Sequence, residues 1–190
     1  MDREFERALA YHGGPALAGI KAANLISFAF ARYPALPQLL TEYGAALGQR
    51  DICLDPLACC KERCLLLVYR RAVLWRHLSS PQILAILLQA GYQVDGPPET
   101  LLAQLRRRLA DGQGFPHEIG AFLGYPPQDV KGFLQHGGKE YKCCGQWKVY
   151  GDVAQAQACF ARYDHCRRCL CRRLAGGNSL LELFCPLSCN

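Results

Sequence analysis

The segment from Phe115 to Leu134 limits the possible folds most, because it predicts two short helices joined by a tight turn. Pro116 suits the first position of a helix, where a missing N–H costs nothing, and Gly124 is typical of a helix end. The second helix begins at two adjacent prolines and carries an apolar stripe formed by Val130, Phe133 and Leu134. Residues 116–135 are therefore predicted to form a helix-turn-helix-like unit.

Similar patterns along the rest of the chain predict a mostly helical protein. Helices are expected over 2–11, 15–28, 36–47, 81–90, 98–110 and 153–174. Strands are expected over 52–54, 64–69 and 141–150, the first two joined as a hairpin. The fold class predicted is α+β, with a small antiparallel sheet of about three strands.

The length and composition favour one domain. A chain of 190 residues, of which 51% are hydrophobic, can bury a substantial core. No linker-like stretch divides it, so we expect one globular domain over residues 1–175 and a short cysteine-containing tail over 176–190.

The sequence predicts a cytoplasmic protein without a membrane partner. The first ten residues are charged and amphipathic, unlike a secretory signal peptide. The most apolar segment, residues 83–88, is far shorter than the roughly 20 residues that cross a bilayer. The net charge of +6 is concentrated at residues 106–108 and 167–173, which permits an anionic or nucleic-acid partner without requiring one.

Nine polar or aromatic residues near predicted element ends form a candidate site: His12, Lys21, Asn24, Arg70, His117, Glu118, Trp147, Lys148 and Tyr150. In this hypothesis Lys21 and Arg70 neutralise an anion, with help from the N–H groups of a helix that begins at Pro116. His117 and Glu118 are the candidate catalytic acid/base pair.

Together these residues predict binding of a small polar or anionic ligand, with or without a reaction on it. Trp147 and Tyr150 would form an aromatic wall of that site. The competing interpretation is structural: His117 and Glu118 cap a helix, the two aromatic residues pack in the sheet, and Lys21 is a surface lysine. The pattern identifies no cofactor, no enzyme class and no protein partner.

A second interpretation is a DNA-binding regulator, because Ile119 to Leu134 has the core and turn residues of a helix-turn-helix. Its second helix would offer Gln128, Asp129, Lys131, Gly132 and Phe133 to the duplex. This set lacks the arginine or asparagine that usually contacts phosphates and bases, so nucleic acid is the less favoured partner.

A third interpretation is a metal-binding or thiol-redox centre at Cys159, Cys166, Cys169 and Cys171, the candidate metal ligands. The chain has 12 cysteines, and residues 166 and 169 share one face of a helix, with Cys185 or Cys189 as a further ligand. The nearby arginines are expected to lower thiol pKa values. No standard zinc or iron–sulfur spacing is present, and buried structural cysteines explain the pattern better.

Three blocks of the sequence resemble a known family. They are YHGGPALAGIKAANLISF, FPHEIGAFLGYPPQDVKGF and GQWKVYGD, the last followed by a helix that contains Phe160, Tyr163 and Cys166. With LLLVYR they make the chain similar over most of its length to the bacterial domain of unknown function 3793 family, found mainly in anaerobic Gram-positive bacteria. The resemblance implies no activity, because that family has none assigned.

Overall fold

The computed structural model describes residues 2–111 and 114–185. Its helices are α1 (Arg3–Leu17), α2 (Leu36–Gly48), α3 (Arg71–Leu78), α4 (Pro81–Gln89), α5 (Pro98–Ala110), α6 (Ile119–Phe122), α7 (Pro127–His136), α8 (Val153–Ala175) and α9 (Leu180–Phe184). Its strands are β1 (Ala23–Ala29), β2 (Ile52–Cys59), β3 (Arg63–Arg70), β4 (Cys143–Cys144) and β5 (Lys148–Val149). The predicted fold class, mostly helical α+β with a small antiparallel sheet of three strands, is confirmed.

The three-stranded sheet has the order β1-β3-β2, and both of its pairings are antiparallel. Central strand β3 is rich in leucine and valine, and Leu66, Leu67 and Val68 are fully buried. The register of β2 shifts between Pro56 and Ala58, which is a β-bulge on an edge strand. Proline is tolerated there because an edge strand needs fewer N–H donors.

The chain divides into two compact units, and the boundaries fall within α3 and α8. The first unit contains residues 1–72 and 163–190, and the second contains residues 73–162. The predicted domain extent of 1–175 stays a prediction. Of the predicted tail, residues 176–185 are described and include α9, whereas Cys189 lies outside the described residues.

In the first unit, α1 packs on β1 and β3, and α2 packs on β2 and α9. α1 continues through Gly13, Gly14 and Pro15, where the sequence predicted a break between two helices. A Cβ on Gly13 would lie 3.4 Å from atoms of Ile26 and Val68, so its lack of a side chain lets the helix approach the sheet.

The predicted helix over 15–28 is wrong, because α1 ends at Leu17 and β1 follows. Gly19 has a φ of 72°, and its N–H and that of Ile20 donate to Ala16 and Pro15 as in a Schellman motif. The chain then pairs with β3 from Ala23 onward. Local apolar spacing did not reveal this strand, because its partner strand begins at Arg63, far away in sequence.

The strand predicted over 141–150 is also corrected. The segment folds back on itself, and β4 and β5 form a separate two-stranded ladder in the second unit. The turn between them contains Gly145, whose missing side chain leaves room for the Phe160 ring. The third strand of the main sheet is therefore β1.

The helix-turn-helix-like segment forms two helices, but the first is a single turn. α6 begins at Ile119, and residues 117 and 118 lie in a turn before it. α7 begins at Pro127 and ends at His136, and it is capped by Gly137, whose φ of 57° is left-handed. Val130 is buried as predicted, whereas Leu134 is 43% exposed, which corrects its assignment to the buried face.

Other predicted elements agree closely with the structure. The helices predicted over 36–47, 81–90, 98–110 and 153–174 correspond to α2, α4, α5 and α8. Asp152 caps α8, because its Oδ1 accepts a hydrogen bond from the Gln155 N–H at 3.0 Å. Within the described parts of the chain, no helix has both the length and the apolar character needed to cross a membrane.

Candidate functional site

The second unit has a cleft of about 540 Å³ between the end of α5, the turn before α6, and α7. Its lining combines cationic, acidic, imidazole and apolar side chains. They belong to Arg107, Arg108, Asp111, Gly114, Phe115, Pro116, His117, Glu118 and Leu134. The predicted acid/base pair His117 and Glu118 therefore shares a cleft with two arginines.

Arg108 is held in place from three directions. Its Nη1 donates to Glu118 Oε1 at 3.2 Å, and its Nη2 donates to the Ala90 carbonyl at 2.6 Å. The guanidinium also lies 4.3 Å from the centroid of the Tyr92 ring, a cation–π contact. This pairing fixes Arg108 at the edge of the cleft.

Glu118 is buried and is shared between two donors. Its Oε1 accepts a hydrogen bond from the Tyr92 hydroxyl at 3.1 Å as well as from Arg108. Burial, and then the charge of Glu118, raise the pKa of Tyr92, so its hydroxyl stays a donor. Glu118 thus positions Arg108 and Tyr92, and its predicted acid/base role stays a prediction.

Arg107, Asp111 and His117 are the exposed polar groups of the cleft. Among the described residues, no side-chain hydrogen bond or ion pair involves the Arg107 guanidinium. The His117 ring lies 5.0 Å from the Phe133 ring and 6.3 Å from the Phe115 ring. The cleft thus presents a cation and an imidazole beside an apolar surface.

The helix that the sequence places at Pro116 begins at Ile119. Three N–H groups at the start of α6 donate hydrogen bonds to the carbonyls three residues before them. They belong to Ile119, Gly120 and Ala121, and the acceptors are residues 116, 117 and 118. They close tight turns before and within a four-residue helix. These three N–H groups are therefore not free for an anion, and anion binding at this helix start stays a prediction.

Trp147 lies in the second unit with a structural partner. It is buried, and its Nε1 donates to Asp129 Oδ2 at 2.7 Å. Its ring stacks on Tyr125 at 5.0 Å and meets Phe160 edge-on at 4.5 Å. These contacts pack Trp147 inside the unit and leave it outside the lining of the cleft.

Lys148 and Tyr150, on the same segment, also contact their own unit. Lys148 Nζ donates to the Gly138 carbonyl at 2.6 Å and lies over the Tyr141 ring at 5.0 Å. The Tyr150 ring stacks on His136 at 5.7 Å, and its buried hydroxyl has no hydrogen-bond partner among the described residues.

Asn24 and Arg70, in the first unit, both bond to the last turns of α1. Asn24 is buried on β1, and its Oδ1 accepts from the Ala16 N–H at 3.2 Å. Arg70 donates from Nε to the Leu17 carbonyl at 2.7 Å and from Nη1 to the Arg50 carbonyl at 3.2 Å. Cations favour helix C-termini, so Arg70 stabilises the end of α1.

Lys21 and His12 complete the predicted residues of the first unit. Lys21 is buried in the turn before β1, and its Nζ lies 5.9 Å from the centroid of the Tyr163 ring. It is not the surface lysine of the competing interpretation. His12 is exposed on α1, where burial, and then the charge of Arg167, lower its pKa.

The nine predicted site residues therefore divide between the two units, four in the first and five in the second. Within the second unit, His117 and Glu118 line one cleft, whereas the three from residue 147 to 150 do not line it. Within the first unit, Asn24 and Arg70 meet at the end of α1.

The four candidate metal-ligating cysteines lie along α8, with Cys159 in the second unit and the other three in the first. Cys169 Sγ lies 3.4 Å from His165 Nε2, and Cys166 Sγ donates to the Gly14 carbonyl at 3.7 Å. Residues 2–111 and 114–185 contain no cluster of three His, Cys, Asp or Glu residues that could hold a metal ion. The metal interpretation stays a prediction, since Cys189 lies outside these residues.

The expected lowering of thiol pKa values is not found at two of these positions. Burial raises the pKa of Cys166, and the opposing effect of Arg167 is smaller. Burial also raises the pKa of Cys171. These two thiols are therefore less reactive than the neighbouring arginines suggested.

The surface of α7 bears on the DNA-binding interpretation, which stays a prediction. Gln128 and Lys131 are exposed, but Asp129 and Gly132 are buried. A Cβ on Gly132 would lie 2.3 Å from the Tyr150 ring, so this face of the helix packs inside the unit. Two of the five residues predicted to face a duplex thus point inward.

Sequence reasoning missed the four cleft residues Arg107, Arg108, Phe115 and Leu134 as members of a site. The run of three arginines at 106–108 was a signal, but helical periodicity assigned it to solvent. Leu134 was predicted to be buried and Phe115 was assigned no role, yet they are 43% and 48% exposed. Large apolar side chains indicate a binding surface when they are exposed in a cleft. The sequence alone does not show whether a given side chain is exposed.

The chain belongs to a protein family described as "Protein of unknown function (DUF3793)", whose family model matches residues 9–184. The match covers most of the chain and confirms the resemblance carried by the three sequence blocks. No curated protein and no solved structure matches the chain.

Proposed function

We propose that this member of a family described only as of unknown function binds a small amphipathic anion, a carboxylate or phosphate that carries an apolar group, in the cleft beside α5. The observation that supports the proposal is that Arg107 and His117 share this cleft of about 540 Å³ with exposed apolar side chains. A volume in this range is typical of small-molecule sites.

The polar half of the ligand is assigned to Arg107 and His117. The Arg107 guanidinium is exposed at the cleft and presents planar donors that suit the paired oxygens of a carboxylate or phosphate. Arg108 is already paired with Glu118, and the carboxylate of Asp111 also lines the cleft. The anionic group is therefore assigned to the Arg107 guanidinium and His117, and not to Arg108.

The apolar half of the ligand is assigned to Phe115 and Leu134. Both side chains line the cleft and are large, apolar and nearly half exposed. Covering them removes apolar surface from water, which stabilises a complex by roughly 25 cal/mol per Å² buried. An aromatic or alkyl group next to the anionic group uses both halves of the cleft.

The first experiment measures binding of benzoate, phenyl phosphate and inorganic phosphate by isothermal titration calorimetry. We expect phenyl phosphate and benzoate to bind more tightly than inorganic phosphate, because only they cover the apolar side chains. Arg107→Ala and His117→Ala should each weaken binding about tenfold or more, since a hydrogen bond to a charged group contributes about 1.5–3 kcal/mol.

Lys131→Ala is the matched control, because Lys131 is an exposed cation of the same unit that does not line the cleft. The Lys131→Ala variant should bind phenyl phosphate with the same affinity as the unmodified protein. The proposal is wrong if neither aromatic anion binds at millimolar concentration, or if Arg107→Ala and Lys131→Ala have the same effect.

A cytoplasmic location is part of this proposal. Nine cysteines of the described residues are free thiols, which is typical of proteins in a reducing compartment. Fractionation of the source cells should recover the protein with soluble cytoplasmic markers, and recovery with secreted proteins would contradict this location.

A further inference from the structure

We propose that Cys59 and Cys64, in the first unit, form a thiol–disulfide exchange site for peptides whose cysteine is flanked by apolar side chains. This inference is independent of the cleft beside α5, because it concerns other residues and another unit. Its basis is a disulfide at the end of the β2–β3 hairpin that also lines an apolar groove.

The two cysteines face each other directly across the hairpin. The Cys60 N–H donates to the Arg63 carbonyl at 2.8 Å, so residues 60 and 63 are the hydrogen-bonded pair that closes the turn. Residues 59 and 64 are the next pair along and occupy a position without mutual hydrogen bonds, where side chains approach most closely. Their Cα atoms are 4.1 Å apart, and the two residues are joined as a disulfide.

This disulfide contributes little as a structural cross-link. It joins residues only five apart in sequence, and short loops gain the least from a cross-link. The hairpin turn and the β2–β3 ladder already hold the two strands together. In a chain with nine other free cysteines among the described residues, a disulfide is more typically a reactive or redox-sensing group.

The two sulfur-bearing residues differ sharply in exposure. Cys59 is exposed, whereas Cys64 is only 1% exposed. An incoming thiol can therefore reach Cys59, and Cys64 is the leaving group. This asymmetry defines a direction of attack, because exchange requires access to the sulfur that is attacked.

An apolar groove of about 370 Å³ adjoins the pair. Both cysteines line it together with Phe30, Leu40, Leu54 and Pro56, and the described part of its lining contains no charged side chain. A thiol that occupies this groove must therefore carry apolar neighbours. A cysteine peptide with leucine or phenylalanine beside the thiol fits this description, whereas a charged small thiol does not.

The reaction proceeds in two balanced steps. The peptide thiolate attacks Cys59 Sγ, the Cys59–Cys64 bond breaks, and the proton of the incoming thiol ends on the Cys64 sulfur. A second peptide thiol then attacks the mixed disulfide, which releases a peptide disulfide and leaves Cys59 as a thiol. Overall, two peptide thiols are oxidised and the protein disulfide is reduced to two thiols.

The test uses the oxidised full-length chain and two tripeptide amides, Leu-Cys-Phe and Ser-Cys-Asn. Samples are quenched with acid, and mass spectrometry follows the mixed disulfide and maps it. We expect the apolar peptide to react about tenfold faster, because burying part of a leucine-sized side chain favours its complex by about that factor. The adduct should map to Cys59. This comparison needs no variant of the protein.

Two variants sharpen the test. Cys60→Ser removes an exposed neighbouring thiol that does not line the groove, and it should leave the rate unchanged. Leu40→Ser should reduce the preference for the apolar peptide while the polar peptide reacts at its original rate. Equal rates for the two peptides, an adduct on Cys60 or Cys64, or alkylation of Cys59 without prior reduction would each overturn the proposal.

Discussion

A single carboxylate, that of Asp129, joins α7 to the segment around β5. Its Oδ2 accepts from Trp147 Nε1 at 2.7 Å, and its Oδ1 accepts from the N–H groups of Tyr150 and Gly151 at 2.8 and 2.7 Å. Asp129 is only 2% exposed, so these bonds satisfy a charge that burial would otherwise make costly. The residue that a DNA-binding helix would have shown to solvent thus organises the interior of the second unit.

We predict that Asp129→Ala lowers the free energy of unfolding by about 3 kcal/mol, because three buried donors lose their acceptor at once. Urea denaturation followed by tryptophan fluorescence measures this. Trp147→Phe removes only one of the three donors. The loss of its hydrogen bond to Asp129 should therefore lower the free energy of unfolding by less than Asp129→Ala does. A loss below about 1 kcal/mol for Asp129→Ala would show that water replaces the carboxylate.

Two glycines inside helices differ in the space that surrounds them, so replacing them with alanine should change the stability in opposite directions. A Cβ on Gly132 of α7 would lie 2.3 Å from Cγ of the Tyr150 ring, far inside normal contact. A Cβ on Gly44 of α2 would meet nothing within 4 Å. The sequence contains both glycines inside helical patterns, and only the neighbouring elements separate their roles.

Gly44→Ala should therefore stabilise the protein by up to about 1 kcal/mol, since alanine is the better helix former. Gly132→Ala should destabilise it by about 2 kcal/mol, because the new methyl group displaces the Tyr150 ring. Thermal unfolding of the two variants beside the unmodified chain measures both signs. A stabilising Gly132→Ala would mean that the ring moves aside at little cost.

For the molecule as a whole, two histidines make the free energy of unfolding decrease as the pH falls. His77, in the second unit, donates from Nε2 to the Ala121 carbonyl at 2.7 Å, and burial lowers its pKa. The pKa of His12, in the first unit, is also lowered. In both cases the unfolded chain binds a proton at a higher pH than the folded protein does.

The free energy of unfolding is therefore expected to be highest above the usual histidine pKa of 6.5 and to fall as the pH drops below it. The partly buried His77 contributes a slope of at most about 1.4 kcal/mol per pH unit, and the exposed His12 contributes less because solvent screens its interactions. Urea denaturation from pH 5.5 to 7.5 measures the slope, and His77→Gln should flatten it. An unchanged slope in that variant would exclude His77 as a source.

The sequence alone determined the helices that have local start and stop signals. α5 was predicted at its observed bounds because Pro98 begins it and the leucines at 101, 102 and 105 repeat at helical spacing. α8 was predicted from its Asp152 cap. These signals are local, since a cap or a proline acts within one turn of the helix.

The three blocks of sequence that identify the family are local as well, and they were sufficient to assign the chain. A small part of the candidate cleft was also visible in sequence, because His117 and Glu118, two of its lining residues, were singled out. Arg107 and Leu134 were not, since nothing in the local pattern of α5 or α7 distinguishes a side chain exposed to bulk water from one that lines a cleft.

The tertiary structure decided which segments pair and which polar groups are used internally. β1 exists because β3 pairs with it, and this pairing replaces the second half of the helix predicted over 15–28. Asn24, Arg70 and Trp147 were predicted to face a ligand, but each bonds to a group in another element of its own unit. Burial requires a polar group to find a partner, and which partner it finds depends on contacts between segments remote in sequence.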